Sequence, residues 1–305
     1  MHAEAAVATR TFADRLAAAV VERRSQLVLG LDPQLDLLPL ELRGDAHTGR
    51  EAAATSYSRF CRGLIDAARP YVIAVKPQSA FFETLGADGM HAFEDVCAYA
   101  RTAGLLVIAD GKRGDISSTA RAYASAYLEP RDGDPPLADA LTVNGYLGRD
   151  SLEPFAAECR RHGGGIFCLV KTSNRGGADV QDLRLTDGTL VWHQVAMLVA
   201  ELAAESVGEC GLSSIGAVVG ATFPRAVTEA RRLLPQSILL LPGIGAQGAT
   251  AADVARAFTS GPASALVAVS RSINYAFRAD DSDWRTSAAA EAARLRDEIW
   301  RASGW

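Results

Sequence analysis

The sequence predicts an α/β protein, a single (β/α)8 barrel domain that spans residues 1–305. Eight short apolar runs rich in β-branched residues recur along the chain, with helical patterns between them. These runs are continuously apolar rather than alternating, which indicates parallel strands that are buried on both faces. An open doubly wound sheet is the alternative, but it would normally show fewer strands and an earlier glycine fingerprint.

The elements follow from these patterns in chain order, beginning with an amphipathic helix over about 11–24. The predicted strands cover 27–32, 72–78, 105–112, 140–146, 165–172, 215–222, 238–245 and 265–271. The predicted helices lie near 55–68, 87–103, 116–128, 151–162, 190–206, 224–233, 249–258 and 286–302. The chemistry of such barrels lies on the loops that follow the strands, so the long glycine-containing segment 173–189 is a candidate lid.

Composition excludes several classes of function. The net charge of −5 gives no electrostatic footprint for nucleic acid, and no apolar run approaches the ~20 residues of a membrane span. Residues 1–26 carry too many charges for the core of a signal peptide. The five cysteines form no CxxC pair, which is typical of reduced thiols, and we expect a cytoplasmic protein. No His or Cys pattern has metal-ligand spacing, so no metal is expected.

Charged residues close the first three predicted strands. Asp32 ends the first strand and Lys76 lies at the end of the second. Asp110 and Lys112 are two residues apart at the end of the third, so on an extended chain they point to the same side. Neighbouring strands of a barrel bring these four charges to one mouth. A structural salt-bridge cluster is the alternative, but four charges at the functional face favour an active site.

Lysine is rare in this chain and its positions are informative. Only Lys76, Lys112 and Lys171 are lysines among the 31 basic residues, and all three lie at the carboxyl ends of predicted strands. Lysine differs from arginine because its compact ammonium can give up a proton. The sequence leaves open whether Lys171 belongs to the mouth of the site or has a structural role.

The last two strands predict a phosphate site. The seventh predicted strand runs into Gly243, Gly245 and Gly248, and the eighth runs into Arg271. Backbone N–H groups and an arginine at these positions commonly bind phosphate in barrels. The three glycines also form a GxGxxG pattern, but it occurs too late in the chain for a dinucleotide domain.

Two further polar residues have open roles on spacing alone. Ser173 follows the fifth strand and either meets a polar ring edge or caps its loop. The spacing of Asp115 predicts the N-cap of the helix that begins near Ile116. The residues together indicate an enzyme that acts on a small monophosphate and uses lysine as an acid, without zinc or nicotinamide.

The segment 110–119, with its DxKxxDIxxT pattern, resembles the signature of the orotidine 5'-phosphate decarboxylase family, and in particular its longer bacterial subgroup. Supporting matches lie at 31–33, 75–78, 142–148, 171–174, 242–248 and 270–272. Gly145 departs from the usual proline and Gly111 from the more common alanine, and both changes affect backbone stiffness rather than chemistry.

The resemblance implies decarboxylation of orotidine 5'-phosphate to UMP without a cofactor, in a homodimer with composite active sites. The implied catalytic residues are Lys76, Asp110, Lys112 and Asp115, and the implied substrate-binding residues are Asp32, Thr119, Ser173, Gly243, Gly245, Gln247 and Arg271. Asp115 and Thr119 would reach the partner's site, which replaces the N-cap interpretation of Asp115. Asp32 and Lys76 would hold ribose hydroxyls, Ser173 the pyrimidine amide edge, and the glycine loop with Gln247 and Arg271 the phosphate.

Two other functions are compatible with such a barrel. One is a phosphosugar decarboxylase or aldolase assisted by Mg²⁺, although no extra acidic residue is obvious beside Asp110. The other is a non-catalytic barrel that senses pyrimidine nucleotides. The lysine and aspartate array argues against the second, because sensing needs only contacts to the phosphate and the base.

Overall fold

A computed structural model describes residues 10–44, 46–131, 133–245, 248–277 and 283–305 and forms the predicted closed barrel. Eight parallel strands pair in chain order, and the last pairs with the first. The strands are β1 (Leu27–Leu31), β2 (Ala74–Pro77), β3 (Leu106–Arg113), β4 (Ala140–Val143), β5 (Gly165–Lys171), β6 (Ser213–Val219), β7 (Ser237–Pro242) and β8 (Ala265–Val269). The (β/α)8 fold predicted from the sequence is therefore confirmed.

Helices surround the barrel and connect its strands. They are α1 (Phe12–Arg23), α2 (Leu40–Arg43), α3 (Arg50–Ala68), α4 (Ser79–Glu83), α5 (Gly86–Thr102), α6 (Ser117–Leu128), α7 (Arg149–His162), α8 (Ala178–Gln181), α9 (Val191–Ala204), α10 (Pro224–Leu233), α11 (Ala251–Val254), α12 (Arg271–Asn274) and α13 (Trp284–Ser303). Short 3-10 helices cover Leu35–Leu37, Arg175–Gly177 and Ala255–Phe258.

The boundaries differ from the predicted ones in a regular way. Most strands end one to three residues earlier than predicted, because the polar residues at their carboxyl ends belong to the loops. Only β3 runs one residue further than predicted. The helix predicted over 249–258 is divided into α11 and the 3-10 helix Ala255–Phe258.

Helix α1 closes the amino-terminal end of the barrel. Phe12 is fully buried and meets the ring of Phe167 edge to face at 5.9 Å. Gly165 lies under the Phe12 ring, where an added Cβ would overlap it. Arg15 pairs with Asp139 and donates a 3.1 Å hydrogen bond to the carbonyl of Gly163. The end of the barrel opposite the carboxyl ends of the strands is thereby closed by apolar and ionic contacts.

Arg231 of α10 binds the backbone at the amino-terminal ends of β7 and β8. The guanidinium is buried and donates to backbone carbonyls of Leu234, Ser237, Ala257 and Ser264, at 2.6 to 3.0 Å. Burial lowers the pKa of Arg231 to about 10. Since carbonyl dipoles rather than carboxylates hold this charge, the guanidinium stabilises the turns before both strands.

Replacing Arg231 by methionine tests this contact. Arg231→Met leaves several buried carbonyls without donors, so the free energy of unfolding should fall by about 3 kcal/mol or more. Urea unfolding measures the change. Arg232→Met is the matched control, because the neighbouring side chain is exposed and should change stability by less than about 0.5 kcal/mol. Equal losses in the two variants would contradict this role.

Candidate active site

Strand β3 delivers the central charges through an irregular carboxyl end. The pairing of β3 with β4 shifts register between Ala109 and Arg113. Lys112 adopts a φ of 46°, a left-handed conformation that costs a non-glycine residue of the order of 1 kcal/mol. Its backbone N–H donates to Thr142 Oγ1 at 2.9 Å, which holds this conformation from β4. The bulge brings the side chains of Asp110 and Lys112 together.

Asp110 is the buried centre of the site. Its carboxylate is 5% exposed and accepts from Lys76 Nζ, from Lys112 Nζ at 2.6 Å and from Thr142 Oγ1 at 2.9 Å. Burial raises the pKa of this carboxyl, but the Lys76 and Lys112 ammonium groups outweigh burial and hold it well below its usual range. Asp110 is therefore ionised at neutral pH.

The two lysines around Asp110 have different environments. Burial lowers the pKa of Lys76. The nearby Asp110 and Asp32 carboxylates together outweigh burial, so the net pKa lies above the ordinary value. The Lys76 side chain is 10% exposed, while that of Lys112 is 47% exposed. Lys76 is thus a fixed charge in the wall, and Lys112 is the ammonium available to a ligand.

These groups line a cavity of about 350 Å³ at the carboxyl ends of the strands. Its wall consists of Lys76, Asp110, Lys112, Thr142, Leu169, Thr172, Ser173, Asn174, Val218, Leu240, Pro242 and Ala268. Charged and polar groups lie on the side of β2 to β5, together with Leu169, and apolar groups lie on the side of β6 to β8. A cavity of this size with both apolar and polar walls is typical of a small-molecule site.

Asp32 lies next to this cavity, in the loop after β1. Its Oδ1 is buried, and the described part of the chain offers it no hydrogen-bond partner. Tyr275, which follows α12, donates its hydroxyl to the carbonyl of Asp32 at 2.8 Å and accepts from Gln34 N–H at 3.0 Å. The backbone of Asp32 is therefore held in place, while one buried oxygen of its carboxylate has no hydrogen-bond partner among the described residues.

The predicted phosphate loop packs against the start of α12. Gly243 and Gly245 have φ angles of 115° and 78°, which favour glycine. A Cβ on Gly245 would lie 2.8 Å from Ser272 Oγ, so loop and helix are in close contact. Arg271 begins α12 and is exposed. Gln247 lies outside the described residues.

The N-cap interpretation of Asp115 is wrong. Helix α6 begins at Ser117, one residue later than that interpretation requires, and its N-cap position is Ile116. Asp115 Oδ1 accepts from the adjacent Ile116 N–H at 2.7 Å, which leaves no capping bond to the first helical turn. Asp115 is half-buried and Thr119 is exposed on α6.

The structure brings together four of the predicted site residues, Lys76, Asp110, Lys112 and Ser173, in the cavity wall. The other described candidates, Asp32, Asp115, Thr119, Gly243, Gly245 and Arg271, lie outside that wall. The sequence places Thr142 among the polar groups at the mouth, at the end of the fourth predicted strand, but gives it no role. Nothing in the sequence relates Tyr275 to Asp32.

The fold and the site define the class of (β/α)8 barrels that hold an array of lysine and aspartate charges at the carboxyl ends of the strands. Among the described residues, no three His, Cys, Asp or Glu side chains form a group suited to a metal ion. No helix in the described ranges is long and apolar enough to cross a membrane.

Comparisons with known proteins agree with this class. Residues 25–280 match the model of the Orotidine 5'-phosphate decarboxylase / HUMPS family. A protein of Rhodopirellula baltica named orotidine 5'-phosphate decarboxylase is 47% identical, over 95% of this chain and 99% of its own length. One of Deinococcus radiodurans with the same name is 44% identical, over 97% and 99%.

A solved structure of a putative orotidine 5'-phosphate decarboxylase from Streptomyces avermitilis superposes with a TM-score of 0.80. It is 38% identical, and the match covers 100% of both chains. The chain belongs to the Orotidine 5'-phosphate decarboxylase / HUMPS family and is an enzyme of the carboxy-lyase class.

The low pKa of Asp110 predicts how stability depends on pH. Asp110→Asn leaves Lys76 buried without its carboxylate, so the free energy of unfolding should fall by about 3–5 kcal/mol at neutral pH. The folded-state pKa of Asp110 lies below the unfolded value of about 3.9. Its stabilisation is therefore complete above about pH 5 and is lost as the pH falls towards the folded-state pKa.

Denaturant unfolding from pH 3 to 9 measures this difference between wild type and Asp110→Asn. It should shrink as the pH falls from about 5 to 3, because the unfolded wild type takes up a proton on Asp110 that the folded wild type does not. Glu22→Gln, at an exposed position of α1, is the control and should change little. A difference that grows on acidification would contradict the assignment.

Proposed function

We propose that this enzyme converts orotidine 5'-phosphate to UMP and CO₂, the last step of de novo UMP biosynthesis. The observation that carries the proposal is the Lys112 ammonium, held 2.6 Å from Asp110 in the wall of a cavity of about 350 Å³. The curated relatives bear the name of this activity. Five free cysteines support a cytoplasmic location.

Lys112 is the proposed acid. When the bond between C6 and the carboxylate breaks, the electron pair stays on C6, and the ring cannot delocalise it as an ordinary enolate. A preorganised cation must therefore stabilise the carbanion. Lys112 supplies this charge and transfers one proton to C6, which gives UMP. Solvent then reprotonates the amine, since the side chain is nearly half exposed.

Asp110 is proposed to act on the departing carboxylate. It is ionised, because its pKa is held well below the usual range by two ammonium groups. A substrate carboxylate beside it experiences repulsion that eases as neutral CO₂ leaves. Asp110 also fixes the direction of Lys112, so one side chain performs both tasks.

The remaining substrate contacts are assigned to the edges of the cavity. Asp32 and Lys76 hold ribose hydroxyls, which is supported by the unpartnered buried Oδ1 of Asp32. Ser173 meets the amide edge of the pyrimidine from the cavity wall. The phosphate is bound by Gly243, Gly245, Gln247 and Arg271. Phosphate contacts remote from C6 provide binding energy for closing the segment 173–189 over the base.

The active enzyme is proposed to be a homodimer with composite sites, in which Asp115 and Thr119 reach the partner's cavity. Both residues lie outside the wall of their own cavity, which supports this division. Exposed apolar side chains lie on the same face: Ile116 is 51% exposed, Tyr146 80% and Leu147 49%. An apolar surface of this kind is typical of an interface.

Removal of the Lys112 ammonium tests the mechanism. Lys112→Ala should lower kcat for orotidine 5'-phosphate by about 10³-fold or more, since the carbanion loses both its cation and its proton donor. UMP formation measures turnover, and thermal unfolding with UMP binding verifies that the site is intact. Near-wild-type turnover would exclude this role for Lys112.

Mixed dimers test the composite sites. Lys112→Ala and Asp115→Ala are each expected to be nearly inactive alone. After equal amounts are unfolded and refolded together, half of the dimers should be mixed, each with one wild-type site, which restores about a quarter of wild-type activity. Refolding each variant alone is the control. No recovery in dimers shown to be mixed would contradict the shared arrangement.

A further inference from the structure

Lys171, the third lysine at a strand end, takes no part in the charge array. It is the last residue of β5 and is 3% exposed. Leu169 lines the cavity, but Lys171, two residues later, does not. The pairing of β5 with β6 shifts register between these two residues, which explains why their side chains do not share a side. The buried ammonium of Lys171 therefore needs a partner elsewhere.

That partner comes from the segment after β5. Lys171 Nζ lies 2.6 Å from Asp182 Oδ1 and 5.1 Å from the centroid of the Phe223 ring. Asp182 is eleven residues further along the chain, with a side chain that is 41% exposed. A buried ammonium that loses a carboxylate partner is costly, so this ion pair holds the loop against the barrel. A compact ammonium also fits beneath an aromatic ring.

Gln181 makes a second connection beside the first. Its Oε1 accepts from Thr172 N–H at 3.0 Å, and its Nε2 donates to Thr172 Oγ1 at 2.7 Å. The end of α8 is thus bound to the carboxyl end of β5: Gln181 contacts Thr172, and the next residue, Asp182, contacts Lys171. The intervening chain forms the 3-10 helix Arg175–Gly177 and helix α8.

Residues that follow β6 hold the backbone around Ser173 from the other side. Gly220 N–H donates to the carbonyl of Lys171 at 2.7 Å, and Thr222 Oγ1 donates to the carbonyl of Ser173 at 3.3 Å. A Cβ on Gly220 would lie only 2.7 Å from Ser173 Cα. The backbone that carries Ser173 and Asn174 into the cavity wall is therefore held between β6 and the Gln181–Asp182 connection.

We propose that Lys171, Asp182 and Gln181 form a latch that positions Ser173 and Asn174 to recognise the polar edge of the bound ring. They are positioning residues, since none of them lines the cavity. The inference rests on the proposed function, because it assigns the base-reading part of that same site. A merely structural ion pair would instead affect stability and all ligands equally.

Asp182→Asn tests the latch, because the half-exposed carboxylate can be neutralised at constant volume. The dissociation constant for UMP should rise about tenfold, while that for ribose 5-phosphate, which lacks the ring, should not change. KM for orotidine 5'-phosphate should rise by a similar factor, with kcat changed less than about twofold. Gln181→Ala should show the same selectivity, and Asp182→Glu should recover part of the UMP affinity.

Glu22→Gln is the control, since this exposed carboxylate lies on α1 at the opposite end of the barrel. It should bind both ligands as wild type does. Equal loss of UMP and ribose 5-phosphate affinity, or no loss of either, in both Asp182→Asn and Gln181→Ala would overturn the latch. Failure of the proposed function is distinguishable, because wild-type protein would then form no UMP from orotidine 5'-phosphate, whatever the two variants do to UMP affinity.

Discussion

A buried carboxylate between two ammonium groups is the constraint on which the rest of the site depends. Asp110 is almost fully buried, and it stays ionised because Lys76 donates to its Oδ2, Lys112 donates to its Oδ1 and Thr142 donates a third bond. Each donor comes from a defined strand end, so the barrel must close in register for the charge to be tolerated. Loss of any of these donors leaves the buried Asp110 charge incompletely compensated. The stability of the barrel and the arrangement of the site charges therefore depend on the same contacts.

Hydrogen bonds and close packing connect the regions around Asp110. Tyr275 links the helix that begins with Arg271 to the backbone of Asp32, and Gly245 packs on Ser272 of the same helix. On the opposite side, Lys171 connects β5 to the loop that carries Ser173. The proposed phosphate, ribose and base contacts therefore lie on parts of the barrel that support one another, although they are distant in sequence.

The sequence predicted the barrel because eight buried parallel strands require continuous apolar runs, and the strand ends indicated Lys76, Asp110 and Lys112. It could not predict what depends on tertiary geometry. The left-handed φ of Lys112, the register shift that turns Lys171 from the cavity and the Tyr275 contact with Asp32 arise from packing between distant segments. Spacing also assigned Asp115 wrongly as an N-cap, since a one-residue shift of the helix start changes which N–H its carboxylate reaches.

The central claim is that this array of protein charges decarboxylates orotidine 5'-phosphate without a cofactor. The most direct measurement uses purified protein, treated with EDTA and exchanged into metal-free buffer, mixed with orotidine 5'-phosphate and followed for both products. The account predicts UMP and CO₂ in equal amounts, at a rate that added Mg²⁺ does not change. Absence of turnover, or activity that is lost with EDTA and restored by Mg²⁺, would contradict it.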